Sequence, residues 1–106
     1  MSGNADGHDD PVLEVAASVR GRGVVDFTRH ALDRMEERGI TSDEVIDALR
    51  HPDQEGLPAD PPRLRIRRLL GSIALDVVFV ELPDRIRVVT TYVRRPRLSA
   101  IPFGEA

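Results

Sequence analysis

Two marked helix boundaries, followed by a change of hydrophobic period, constrain this chain more than any other feature. Thr28 is placed to cap a first helix, and Gly39 can close it in the left-handed conformation that follows a helix end. Thr41, with Glu44 three residues on, forms a capping box for a second helix that stops before Pro52. From Arg63 onward apolar residues recur at every second position. Arg63 to Leu70, Ile73 to Leu82 and Arg85 to Val93 therefore read as strands. Gly71-Ser72 suits a two-residue hairpin, and Pro83-Asp84 marks a second, wider turn. The pattern predicts an α+β domain in which two N-terminal helices pack on one face of a small antiparallel sheet.

A chain of 106 residues can bury one modest core. The acidic residues 1–23 are expected to be flexible, with Met1 to Asp10 disordered and Pro11 to Val19 either a short helix or a docking strand. Arg20-Gly21-Arg22-Gly23 breaks that segment, and a folded domain over residues 24–93 opens on a short strand, Val24 to Phe27. Asp53 to Pro62 is a proline-rich linker, and residues 94–106 form an irregular tail. The chain has no cysteine, so neither disulfides nor thiolate metal sites are available. The three histidines, His8, His30 and His51, are scattered, so no metal and no cofactor is expected. No apolar run is long enough to cross a membrane, and Met1 to Asp10 lacks the regions of a signal peptide; a cytoplasmic location is expected.

The overall charge of −3 conceals a division. Residues 1–26 carry a net −3, whereas residues 63–97 hold nine arginines against Asp76, Glu81 and Asp84, a net +6. Tight hairpins would place Leu64, Ile66, Leu70, Ile73, Leu75, Val77, Phe79, Ile86, Val88 and Tyr92 on the helix-facing side of the sheet. The other side would carry Arg63, Arg65, Arg67, Asp76, Val78, Val80, Arg85, Arg87, Val89 and Thr91, with Arg67 opposite Asp76. Arg68 would fall on the core side, which calls for a bulge or an open sheet end. A basic face with an apolar centre suits RNA, an acidic protein partner, or a second copy burying Val78, Val80 and Val89 in a homodimer. Residues 11–19 or the C-terminal tail could also fold over it.

On the first helix Ala31, Leu32 and Met35 form the apolar stripe, and Arg29, Asp33 and Glu36 the charged one. Between them lie His30, Arg34 and Glu37, with Arg38 bordering the core. A histidine one turn before an arginine, beside a buried face, suits a site that handles an anion.

The run from Phe27 through Thr28, His30, Ala31, Arg34, Met35, Glu37, Arg38 and Gly39 to Ile40 resembles the signature of a small bacterial and archaeal domain family of unknown function, roughly F-T-x-H-A-x-x-R-M-x-E-R-G-I. Val88-Val89-Thr90-Thr91-Tyr92 is similar to the end of that family's last strand. The resemblance spans Val24 to about Val93. The family is grouped with the RelE, ParE and BrnT toxins, which implies a RelE/BrnT-like domain and a toxin held by an antitoxin, the RelE-like members cutting messenger RNA. The chain departs from a typical toxin in being acidic overall and in having no lysine.

Metal-free RNA cleavage needs a base for the 2′-hydroxyl, a cation for the phosphorane and an acid for the leaving oxygen. His30, Arg34 and Tyr92 are the candidate catalytic residues. Arg38, Arg65, Arg67 and Arg87 are candidates for binding RNA or a protein partner. Strict alternation puts Tyr92 on the helix side and the arginine row on the other, so these form two separate places. The alternative is a non-catalytic RNA- or protein-binding module, or an obligate homodimer.

Overall fold

The computed structural model describes residues 10–95. Expectations for the segment before Asp10 and for the tail beyond Arg95 lie outside the described residues. Seven elements follow one another: β1 (Pro11–Val19), β2 (Arg22–Thr28), α1 (Arg29–Arg38), α2 (Ser42–Arg50), β3 (Leu64–Leu70), β4 (Ile73–Glu81) and β5 (Ile86–Arg94). The strands form one five-stranded sheet in the order β1-β2-β5-β4-β3.

This corrects the expected fold in two respects. The helices do not lead the chain, because a β1–β2 hairpin precedes them, and the sheet is mixed, because β2 runs parallel to β5. The hairpin arises where the sequence suggested only a break. Arg20 and Gly21, the two residues between the paired Val19 and Arg22, both take positive φ, at 51° and 84°. Two positive φ values in a two-residue loop match the right-handed twist of the strands they join. Left-handed backbone at Arg20 is unfavourable, and its side chain is held in compensation. Its Nε donates to Glu81 Oε2 at 2.9 Å, and Arg22 Nη1 donates to the Arg20 carbonyl at 2.7 Å. The two helices then carry the chain across the sheet, so β5 can lie parallel to β2, as a crossover allows.

The helix boundaries follow local chemistry. The Thr28 hydroxyl accepts from Ala31 N at 3.0 Å, and Gly39, at φ 69°, closes α1. The Ile40 and Gly39 amides donate to the Met35 and Glu36 carbonyls, satisfying two end groups that the helix leaves open. Thr41 and Glu44 form the reciprocal capping box of α2.

Both helices cover one side of the sheet. Ala31 and Met35 from α1 and Val45, Ile46, Ala48 and Leu49 from α2 join Val25, Phe27, Ile66, Leu75, Val77, Phe79, Ile86 and Val88 in one core. β1 extends the sheet beside β2 rather than folding over the opposite face. The outer edge of β3 is closed by the linker. Asp53 N and Gln54 N donate to the Arg67 carbonyl, Arg67 N donates to Gln54 O, and Leu57 N donates to Arg65 O. Arg68 reaches along the core side and, while part-exposed, donates from Nη1 to the His51 carbonyl at 2.7 Å, satisfying the end of α2.

The β3–β4 hairpin has the predicted register, with Gly71-Ser72 between Leu70 and Ile73 and Arg67 opposite Asp76. β4–β5 does not keep strict alternation. Phe79 pairs with Val88 but Val78 pairs with Thr90, so Val89 is an extra residue, a β-bulge. Beyond it every side chain changes face. Thr91 is buried opposite Val77 and Val93 packs on the core, while Tyr92 turns to the open side opposite Asp76. The expectation that Tyr92 shares the helix side is thereby corrected. The Thr28 hydroxyl that caps α1 also donates to the Val89 carbonyl at 3.0 Å, joining cap and bulge.

Replacing Thr28 by valine, which keeps the shape and removes both hydrogen bonds, should lower stability by about 1–2 kcal/mol, and Thr28→Ser should restore most of it. Urea unfolding of the two variants checks this.

Candidate functional site

The face of the sheet away from the helices is built on two buried carboxylates. Asp76 on β4 is fully buried and receives Arg65 Nε and Nη2 on Oδ2 at 2.9 and 2.7 Å. Arg67 donates from Nε to Oδ1 at 2.6 Å and from Nη2 to Oδ2 at 2.9 Å. Asp26 on β2, also fully buried, receives Arg87 on both oxygens at 2.9 and 3.1 Å and Arg85 on Oδ2 at 3.0 Å. Arg85 is further tied to Glu14 Oε2 of β1 at 2.8 Å. Each aspartate thus carries two guanidiniums, which leaves a cationic surface with its side chains fixed from below. Burial pushes the Asp76 carboxyl up. The hydrogen bonds from Arg67 and then Arg65 outweigh that and hold it below its ordinary value.

Against β3 and β4 this face hollows into a cleft of about 900 Å³. His30, in the first turn of α1, stands on its wall. Arg63, Arg65 and Tyr92 line it, Val78, Val89 and Thr90 are also part of its lining, and the linker residues Pro58, Ala59 and Asp60 close one side. The Arg65 guanidinium carbon lies 5.1 Å from the centre of the Tyr92 ring, a cation–π contact that orients the ring. Tyr92 keeps 46% of its surface exposed. The Thr90 hydroxyl is buried and has no hydrogen-bond partner among the described residues. α1 has no acidic residue in its first turn, so the partial positive charge of its N-terminus faces the neighbourhood of His30 uncompensated.

The structure therefore brings together three of the residues singled out from the sequence, His30, Arg65 and Tyr92. The bulge at Val89 makes this possible. Arg34 is not with them: it is exposed and pairs with Glu37 at 3.2 Å. Arg38 is exposed in the last turn of α1. Arg67 faces the same side as Arg65 but does not line the cleft, and it is held on Asp76 and on Gln54. Arg87 lies beyond Val89, in a neighbouring groove. Arg63, Asp60 and Thr90 are cleft residues that sequence reasoning did not select. Arg63 was visible as the first member of an Arg63-x-Arg65-x-Arg67 alternation and Thr90 stood in the Val88 to Tyr92 resemblance, whereas nothing local marks Asp60. Among the described residues no group of three or more histidine, cysteine or acidic side chains is placed to hold a metal ion. No helix among them is long and apolar enough to cross a membrane.

Residues 27–93 match the family model described as a domain of unknown function, DUF4258. The chain belongs to the DUF4258 family. The DUF4258 match runs from the end of β2 into β5. It contains both helix caps, the bulge and every residue that lines the cleft, and leaves β1 outside. Neither the curated proteins nor the solved structures contain a significant match to the chain.

Because the folded Asp76 carboxyl is held low, its stabilising contribution is complete above its ordinary value of 3.8 and is lost as pH falls through the lower folded value. Asp76→Asn should cost about 3 kcal/mol at pH 7, since it leaves Arg65 and Arg67 without their charge partner. It should also flatten the fall in stability below about pH 4. Unfolding midpoints of the two proteins across pH 2–7 test the sign.

Proposed function

We propose that this chain is a toxin-like endoribonuclease that cuts messenger RNA in the His30 cleft and is silenced by an antitoxin covering the arginine face. The observation that carries the reading is the shared cleft: an imidazole, two guanidiniums and a phenol converge above an apolar floor. The resemblance of Phe27 to Ile40 and of Val88 to Tyr92 to a family grouped with the RelE, ParE and BrnT toxins supports it. The substrate places its action in the cytoplasm.

The chemistry follows from the side chains present. His30 takes the proton from a ribose 2′-hydroxyl, and the 2′-oxygen attacks the adjacent phosphorus. Arg63 and Arg65 stabilise the charge that builds on the phosphorane oxygens. The bond to the 5′-oxygen breaks, and that oxygen receives a proton from the Tyr92 hydroxyl. The products are a 2′,3′-cyclic phosphate and a 5′-hydroxyl, with no metal in any step. Arg34, paired outside the cleft, has no part in this scheme.

A non-catalytic RNA-binding module is the second reading, and the exposed Tyr92 ring favours it, because a base can stack there whether or not a bond is cut. It predicts salt-sensitive RNA binding without cleavage.

Induced expression in a bacterial host, with growth and RNA integrity followed together, separates the two. Wild type should arrest growth and degrade messenger RNA. His30→Ala should lower cleavage about 10²–10⁴-fold while remaining folded by circular dichroism. Arg34→Ala should remain as active as wild type. Intact RNA in arrested cells, or a folded His30→Ala protein that cleaves as fast as wild type, rejects the ribonuclease site.

A further inference from the structure

The open face has a second hollow, a groove of about 320 Å³ lined by Pro62, Arg63, Val80, Leu82, Arg87 and Val89. It shares Arg63 and Val89 with the His30 cleft, so the two hollows adjoin and these residues form the ridge between them. They differ in chemistry. The cleft offers an aromatic ring backed by Arg65. The groove offers the apolar side chains of Val80 and Leu82, edged by an Arg87 already held on Asp26.

Arg63 on the ridge differs from its neighbours. Arg65, Arg67, Arg85 and Arg87 each have a buried aspartate, whereas the Arg63 guanidinium forms no ion pair among the described residues. A cation without a counter-ion, between two hollows that each reach ligand-site dimensions, is suited to a phosphodiester whose bases lie on either side. Each base has a π-face that stacks on an aromatic or apolar surface irrespective of its identity.

We infer that this face binds single-stranded RNA across one dinucleotide step. One base stacks on Tyr92 in the cleft, the phosphate between the two nucleotides sits on Arg63, and the next base lies in the groove over Val80 and Leu82. The inference rests on the ribonuclease reading for the identity of the ligand and adds to it the form of the substrate. A-form duplex is excluded, because its bases are stacked on one another and cannot be splayed into two hollows.

The test is equilibrium binding of the full chain to a short strand of about four nucleotides, made of 2′-O-methyl RNA so that it cannot be cut. Single abasic nucleotides are moved along the strand. Two adjacent positions should each lose about tenfold or more in affinity when the base is removed, and the other positions should change little. Tyr92→Leu should abolish the sensitivity at one of the two positions, Val80→Glu at the other, and Arg63→Ala should weaken every strand alike. A duplex of the same sequence should bind at least tenfold more weakly. An abasic profile that is flat or shows one position only, or equal binding of duplex, overturns the dinucleotide step. If wild type still degrades RNA in cells, the ribonuclease reading survives that result. Absence of binding to any strand together with absence of cleavage rejects both, and tight capture of an acidic peptide in its place would assign the face to a protein.

Discussion

One hydroxyl connects the helical layer to the functional face. Thr28 ends β2, accepts from the first turn of α1 and donates to the carbonyl of Val89, the residue inserted into β5. A bulge leaves its own residue outside the ladder, and an unpaired carbonyl inside a sheet is costly unless something donates to it. The helix cap supplies that donor. The start of α1, and with it His30, is therefore fixed relative to the strand that carries Thr90 and Tyr92.

The arginines of the open face have a comparable logic. In sequence they read as a +6 segment, which suggests a broad cationic surface. In the fold Asp26 comes from the otherwise acidic N-terminal part and takes Arg85 and Arg87, while Asp76 takes Arg65 and Arg67. The β1 residue Glu14 adds a further acid on the Arg85 side. Positive charge is consequently reduced along β2 and β5 and strongest near Arg63 and Arg65, where the cleft lies. The hairpin outside the DUF4258 match thus shapes the field of a site inside it.

What was legible in the sequence was local. Thr28, Gly39, Thr41 with Glu44 and Pro52 mark helix ends through contacts within a few residues. Gly71-Ser72 sets the β3–β4 register, and the Arg67–Asp76 pair follows from it. The β1–β2 hairpin was hidden because a two-residue turn centred on an arginine in left-handed conformation lacks the usual asparagine or aspartate at that place. The parallel pairing of β2 with β5 joins residues some sixty positions apart and leaves no local mark. The bulge was hidden for a different reason. Val88, Val89, Thr90 and Thr91 are all β-branched, so the run fits a strand on either face and offers no polar contrast to reveal the extra residue. Tyr92 was accordingly placed on the wrong side, and with it the whole site appeared divided.

Asp76 and the Tyr92 ring have a further effect on Arg65, one that concerns entropy rather than charge. A free arginine that grips an anion gives up most of its rotamer freedom at that moment, on the order of 0.5–1.5 kcal/mol per side chain. Arg65 has surrendered that freedom during folding, pinned by two hydrogen bonds below and an aromatic ring beside it. Arg63 has not. Ordering on contact falls on one arginine of the pair alone, so the cleft combines a rigid jaw with a jointed one.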